Sequence, residues 1–200
     1  DDIKRALLQK IETAPESRAG QALAYLTRNV SEFQFPNIMN SIAAGRNKIV
    51  RLFAAYGDAG AVIDELSRRL NVGEKDTAEG LTEAFMAKID RAEMLRLIEA
   101  WQHGGVKDKA KAEKLAAVSE AGFPAEMYEN YKTAFLTQKG EPYAKAGDRE
   151  TLKHYAALPE SAAAEAERIL ALEDKLKSVR LLASTRAVLF LAEDLISGYN

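Results

Sequence analysis

The feature that most constrains the fold is a long stretch near the C-terminus that contains no helix breaker. Residues 160–197 include neither proline nor glycine. Apolar side chains recur there at spacings of three and four, which places them on one face of an α-helix. They are Ile169, Leu172, Leu176, Val179 and Ala183. At about 1.5 Å per residue, such a helix extends over more than about 50 Å. The sequence therefore predicts a C-terminal helix that forms the spine of the fold.

The rest of the chain shows the same helical spacing, and no run alternates apolar and polar residues with a period of two. A first helix is predicted from Ile3, Leu7 and Ile11, and Pro15 follows it. Three N-terminal caps are predicted at Asp58, Asp76 and Asp90. Ser31 with Gln34 resembles a capping box, although Pro36 is an equally good first helical residue. Residues 137–147, rich in Gly, Pro and Lys, form the one long irregular stretch.

These patterns predict an all-α protein. We expect residues 1–200 to form a single multi-helix domain, of orthogonal or bundle type, with the long C-terminal helix as its spine. The chain begins Asp1-Asp2 without an initiator methionine and stops directly after a strongly helical run. We therefore expect it to be a segment of a longer protein.

Composition narrows the possible functions. The net charge is −2 and the pI is about 5.9, so a DNA contact has to come from a local basic patch. Cysteine is absent, which excludes disulfide frameworks, thiolate zinc sites and cysteine nucleophiles, and favours the cytoplasm. The longest apolar run, Val188–Leu191, is far shorter than the roughly 20 residues of a membrane span, so no membrane partner is expected.

No segment of the sequence predicts catalysis. There is no phosphate-binding G-x-x-x-x-G-K-[ST] loop and no G-x-S-x-G nucleophile elbow. Residues 61–65 superficially resemble a strand that ends in the Asp-Glu pair of a nucleotide hydrolase. The fourfold spacing of Val62, Leu66 and Leu70 favours a helix instead. We therefore expect no catalytic residue, cofactor site or metal site in this segment.

The two histidines and one acidic pair have no catalytic pattern either. His103 and His154 lack a second histidine at the spacing of a metal site, so both are expected to be structural or exposed. Glu193-Asp194 is expected to be a solvated acidic pair on a helix.

Basic residues form three clusters. Lys107, Lys111 and Lys114 share one helix face, which is typical of a solvated surface. The second cluster is Arg46, Lys48 and Arg51. The third surrounds the irregular stretch and consists of Lys132, Lys139, Lys145, Arg149 and Lys153. These cations are interleaved with Tyr131, Tyr143 and Tyr155. Lysines on a mobile loop, together with backbone amides beside Gly140, are suited to binding phosphates without reading bases. The alternative is a solvated connecting loop.

The order of these segments resembles the helical 1B domain of AddA-type proteins in the UvrD/Rep-like helicase class. Residues 135–142, Phe-Leu-Thr-Gln-Lys-Gly-Glu-Pro, are similar to that family's F-L-T-x-x-G-x-P segment. Phe35 and Arg46 stand where that family tends to have an F-x-x-L-x-x-x-x-x-x-R stretch, with Ile38 or Met39 in the apolar place. Residues 165–168 resemble its E-x-x-R at the start of a long helix, and residues 195–199 resemble the L-x-x-Y near that helix's end.

The resemblance implies a non-catalytic, DNA-contacting accessory domain. Its parent would be an ATP-dependent DNA helicase and nuclease that processes double-strand breaks with an AddB-like partner subunit. ATP and magnesium would bind the helicase core, outside this chain. Double-stranded DNA would meet Lys139, Lys145 and Arg149, with Arg46 and Lys48 second. The competing hypothesis is a helical protein-interaction adaptor, or an exported protein, without a DNA role.

Overall fold

A computed structural model describes residues 13–31 and 34–197. The described residues are helical, apart from connecting turns and one isolated β-bridge between Leu136 and Pro142. The helices are α1 (Arg18–Asn29), α2 (Phe35–Tyr56), α3 (Ala59–Arg69), α4 (Ala78–Met86), α5 (Arg91–Gln102), α6 (Val106–Glu120), α7 (Tyr128–Phe135), α8 (Arg149–His154) and α9 (Leu158–Ser197), with a 3-10 turn at Ala125–Met127 before α7. The all-α prediction is confirmed. The helix predicted from Ile3, Leu7 and Ile11 lies outside the described residues, as do residues 198 and 199 of the segment that resembles L-x-x-Y.

The long C-terminal helix is also confirmed. Helix α9 contains 40 residues and begins at Leu158, two positions before the breaker-free stretch. Pro159 lies in the first turn of α9. Proline is tolerated there because the first amides of a helix have no partner within the helix.

Contacts between residues divide the chain into two compact units. Unit 1 comprises the residues up to Lys75 together with those from Ser178 onward, and unit 2 comprises Asp76–Lys177. Helix α9 contributes residues to both units. The proposal that residues 1–200 form one domain of a larger chain stays a prediction.

Unit 1 is built where α1 and α2 meet the last part of α9. Leu23 and Leu26 of α1 are buried with Ile42 of α2 and Leu191 of α9. The start of α2 at Phe35, with Pro36 in its first turn, agrees with the proline alternative. The predicted Ser31–Gln34 capping box is wrong, because the helix begins at Phe35 and its N-cap is Gln34, not Ser31.

Caps made by side chains fix the start of α3 in unit 1. The Asp58 carboxylate accepts from the amide of Ala61, as predicted. A carboxylate oxygen of Glu193 accepts from the amide of Ala59 at 2.9 Å. Glu193 was expected to be solvated, and that prediction is wrong because its carboxylate satisfies one of the free amides at this helix start.

Unit 2 has an aromatic core. Trp101, Tyr131 and Phe135 are almost completely buried, and their rings contact one another at centroid distances of 5.2 to 5.7 Å. Asp90 caps α5, as predicted, by accepting from the amides of Ala92 and Glu93.

At the start of α4 the predicted cap is wrong. Thr77 caps the helix by accepting from the amide of Gly80. Asp76, the predicted cap, forms an ion pair with Lys175 of α9 at 2.9 Å. None of the described helices is both long enough and apolar enough to cross a bilayer.

Candidate functional site

The irregular stretch begins with a tight turn directly after α7. Phe135 and Leu136 are buried at the end of that helix. The Thr137 amide donates to the Glu141 carbonyl at 2.8 Å, and the Gly140 amide donates to the Thr137 carbonyl at 2.9 Å. Gly140 has φ of +76°, a left-handed conformation that glycine adopts without strain. The F-L-T-x-x-G-x-P segment therefore has a structural explanation as two buried anchors followed by a closed turn.

The turn leaves few amides for a ligand. Besides Gly140, the Glu141 amide donates to the Thr137 hydroxyl at 3.3 Å. The expectation that amides beside Gly140 bind phosphate is therefore wrong for Gly140 and Glu141, because both donate within the turn.

A buried ion pair lies on α6 where the sequence predicted a solvated face. Lys111 is 7% exposed and Asp108 is 5% exposed, and Lys111 Nζ donates to Asp108 Oδ1 at 3.2 Å. Both residues continue the buried stripe formed by Leu115 and Val118 toward the start of α6. The prediction of a solvated Lys111 is therefore wrong, because the helical stripe carries it inward while Lys107 and Lys114 stay exposed.

The ion pair binds the backbone at the far end of the irregular stretch. Lys111 Nζ donates to the Ala146 carbonyl at 2.9 Å, and the indole nitrogen of Trp101 donates to the same carbonyl at 2.8 Å. Asp108 Oδ2 accepts from the Asp148 amide at 2.8 Å. The path of residues 146–148 is thus determined by hydrogen bonds to side chains that are themselves buried, which restricts the stretch at this end.

Asp148 extends this network to the surface. Its carboxylate caps α8 by accepting from the amides of Glu150 and Thr151, both at 3.0 Å, and it accepts from the Gly105 amide at 2.7 Å. The amides of Thr151 and Gly105 lower the pKa of Asp148. The buried Thr151 hydroxyl donates to Asp108 Oδ2 at 2.7 Å. The network therefore links α5, α6 and α8 to the irregular stretch.

The three cations expected to bind phosphate all lie along this segment of unit 2. Lys139 is in the tight turn, Lys145 immediately precedes Ala146, and Arg149 immediately follows Asp148 as the first residue of α8. All three are exposed, and none forms a side-chain hydrogen bond or ion pair with a residue that the structure describes. Two of the three are therefore adjacent to backbone groups that the buried ion pair binds.

Other members of the basic cluster are engaged elsewhere. Lys132 pairs with Glu129 and Glu173, and Lys153 pairs with Glu150. The hydroxyls of Tyr131 and Tyr155 donate to buried or half-buried carboxylates, at 2.6 Å in each case. The structure therefore separates the cations of this cluster into two that pair with carboxylates and three that pair with no carboxylate among the described residues.

The second predicted group belongs to unit 1. Arg46 and Lys48 are exposed on α2, and neither forms an ion pair with a residue in the described ranges. Helix α2 carries no acidic side chain, so this surface is locally basic.

The residues that superficially resemble a hydrolase motif lie in a helix, and the two histidines stack on each other. Residues 61–65 lie inside α3, as the helical spacing predicted. Hydrogen bonds from Arg68 and Arg69 lower the pKa of Glu65 to about 2. His103 and His154 are exposed and stack with ring centroids 3.6 Å apart. Within residues 13–31 and 34–197, no group of three or more His, Asp or Glu side chains is arranged to hold a metal ion.

An open groove of about 790 Å³ lies beside the buried ion pair. One wall is the start of α6, with Val106 and Lys107, and the other includes Tyr143 and Lys145 of the irregular stretch. The sequence pattern did not indicate this groove, because it depends on residues about 40 positions apart in the chain.

Comparisons with known proteins add no relative. No protein-family model, curated protein or solved structure matches this chain.

Proposed function

We propose that this chain contacts the phosphate backbone of duplex DNA, without reading its bases, through Lys139, Lys145 and Arg149. The observation that carries the proposal is the position of these cations on a restricted segment. Lys145 and Arg149 flank residues 146–148, where Lys111 binds the Ala146 carbonyl and Asp108 binds the Asp148 amide. An exposed cation without a carboxylate partner is available to a phosphate, and a restricted backbone reduces the entropy lost on binding.

The overall charge of −2 is compatible with this role, because phosphate contacts are local. Screening limits the influence of exposed carboxylates to roughly 8 Å at physiological ionic strength. Cations that already pair with carboxylates, such as Lys153, Lys177 and Arg68, contribute less to an anion site. We therefore expect weak binding with a clear dependence on salt concentration.

The test replaces Lys139, Lys145 and Arg149 together with alanine. Binding of duplex DNA is measured by fluorescence anisotropy over a series of salt concentrations. Each phosphate contact contributes about 0.9 to the slope of log K against log salt, so losing all three lowers the slope by about 2 to 3. An unchanged slope would contradict the assignment.

The matched control replaces Lys153, Lys177 and Arg68 with alanine. This variant has the same change in net charge, but each of its three cations pairs with a carboxylate on its own helix. We expect its salt slope to stay close to that of the unsubstituted chain. Circular dichroism establishes that both variants retain their helices.

We further propose that the chain is the accessory 1B domain of an AddA-type helicase and nuclease. The support is the resemblance of residues 135–142, 165–168 and the long C-terminal helix to that family's segments. In that parent, ATP and magnesium bind the helicase core and an AddB-like subunit is the partner. Sequencing the gene on both sides of this segment tests the proposal. A Walker A motif upstream and an L-D-F-D-D-L-like stretch directly downstream are expected, and a stop codon after Asn200 would contradict it.

One observation favours the alternative of a protein-interaction module. Helix α2 has 22 residues, of which Ile42 is buried, whereas Val50 and Tyr56 are each 43% exposed. A long helix with so much accessible apolar surface is suited to holding a partner helix. Salt-sensitive retention on immobilised duplex DNA distinguishes the two functions, because the interaction module predicts no retention.

A further inference from the structure

The groove between α6 and the irregular stretch carries both positive charge and an accessible aromatic ring. Lys107 and Lys145 are exposed on its walls, and Val106, which is 86% exposed, lies beside Lys107. The carboxylates that line it, Asp108 and Asp148, already accept hydrogen bonds from the protein. Asp108 is paired with Lys111, and the two lysines are cations of this groove that pair with no carboxylate among the described residues.

Tyr143 differs from the neighbouring tyrosines because it does not belong to the core. It is 37% exposed, whereas Tyr131 is completely buried. Its hydroxyl donates to the Thr133 carbonyl at 3.2 Å, and Lys111 Nζ lies 4.8 Å from its ring centroid. These contacts hold the ring in place while part of its surface remains accessible. A ring that is already ordered loses little conformational entropy when a planar ligand stacks on it.

We propose that this groove binds an unpaired nucleotide at a single-stranded end of DNA. The base stacks on Tyr143, and the adjoining phosphates contact Lys107 and Lys145. A groove of about 790 Å³ falls within the range of small-molecule binding sites. The combination of an aromatic platform with flanking cations is the arrangement by which proteins bind single strands without sequence preference.

The unpaired state follows from the chemistry of stacking. A base inside a duplex presents its faces to its neighbours, so it cannot stack on a protein ring unless it leaves the helix. A base in an overhang has accessible faces and pays no such cost. The inference rests on the proposed DNA contact, and it adds the end structure of the DNA that the site prefers.

The experiment compares a blunt duplex with the same duplex carrying a short oligothymidine overhang. Binding of both probes is measured for the unsubstituted chain and for Tyr143→Ala, Tyr143→Trp and Leu95→Ala. Leu95 is the control because it is a large apolar residue, 57% exposed, on α5. We expect the overhang to strengthen binding by about fivefold or more, the effect of one stacked base. Tyr143→Ala removes that gain, Tyr143→Trp retains it and Leu95→Ala leaves it unchanged.

The results separate this inference from the proposed function. If both probes bind with the expected salt dependence but the overhang gives no gain, the inference is wrong and the phosphate contact stands. The inference is also wrong if Tyr143→Ala weakens both probes equally, because a general loss indicates that the ring only supports the fold. If neither probe binds in a salt-dependent way, the proposed function fails and the inference fails with it.

Discussion

Replacing Lys111 with methionine tests whether the buried ion pair holds the irregular stretch in place. Methionine has a similar length but no charge, so Asp108 keeps its burial and loses its cationic partner. Asp108 still accepts from the Asp148 amide and the Thr151 hydroxyl. The Ala146 carbonyl still accepts from the indole of Trp101. The substitution therefore isolates the loss of the charge and leaves no backbone group unpaired.

The expected destabilisation follows from that geometry. Removing one partner of a buried ion pair costs about 3–5 kcal/mol, because the remaining charge is not compensated. The two hydrogen bonds that Asp108 retains place the value near the lower end of that range. Lys111 Nζ also lies 5.3 Å from the Trp101 ring centroid, and a cation–π contact contributes about 0.5–2 kcal/mol. These contributions overlap, so we expect a total loss of about 3–4 kcal/mol.

Urea unfolding followed by tryptophan fluorescence provides the assay. Trp101 is the only tryptophan of the chain and is 1% exposed within unit 2, so its emission reports on that unit. The control is Lys114→Met on the same helix, where the lysine is exposed and a change within about 0.5 kcal/mol is expected. A loss of about 1 kcal/mol or less for Lys111→Met, the contribution of an exposed pair, would refute the reasoning.

A double-mutant cycle with Asp108→Asn measures the coupling directly. Asp108→Asn alone leaves the Lys111 ammonium buried without its counterion, whereas the double variant has neither charge. We therefore expect the double variant to be more stable than the sum of the single losses predicts, by about 1–3 kcal/mol. Strict additivity would show that the two side chains do not interact.

Two further predictions concern residues around this network. Gly104→Ala places a Cβ atom onto the Thr151 hydroxyl, and we expect the overpacking to lower the free energy of unfolding by about 1–3 kcal/mol. The control is Gly45→Ala within α2, where the added Cβ would meet nothing closer than 3.9 Å, and we expect it to raise the free energy of unfolding by about 0.5–1 kcal/mol. Equal effects of the two substitutions in urea unfolding would contradict the overpacking at Gly104. The pKa of Asp148 is lowered in the folded state, so its ionised carboxylate stabilises the fold. This contribution to the free energy of unfolding is complete above the ordinary pKa of about 3.9, and it is lost as the pH falls through the lowered value. Asp148→Asn is therefore expected to flatten the dependence of stability on pH below about 4, and an unchanged acid slope in unfolding measured over that range would contradict it.

The sequence predicted those features of the fold that short-range spacing determines. The helical period gave α9, and the caps at Asp58 and Asp90 were correct because a cap forms within three residues. At α4 two neighbouring side chains were both suitable caps. Thr77 caps the helix, while Asp76 pairs with Lys175, a residue far along the chain that local patterns do not reveal. Long-range pairing therefore decided between two locally equivalent choices.

The candidate site was predicted only in part. The exposure of Lys139, Lys145 and Arg149 agrees with the expectation of a basic surface on the irregular stretch. The buried pair was missed because charged residues on an alanine-rich helix are usually solvated. The sequence does contain a pattern that indicates their burial, because the apolar stripe of Leu115 and Val118 extends back to positions 111 and 108 at helical spacing. The backbone partners of those two side chains lie about 40 residues away, beyond the reach of a periodicity argument.

The ion pair of Lys111 and Asp108 restricts the backbone packed against it more closely than an apolar pair would. Well-packed apolar side chains are often as stabilising as a buried ion pair, so stability alone does not account for charge here. Apolar contacts tolerate small shifts of the chain packed against them, whereas Lys111 and Asp108 require the Ala146 carbonyl and the Asp148 amide at hydrogen-bonding distance. The pair thereby determines the path of the backbone between Lys145 and Arg149. Under the proposed function, substitutions in the buried pair are expected to weaken DNA binding together with stability, while substitutions of the exposed cations weaken DNA binding alone.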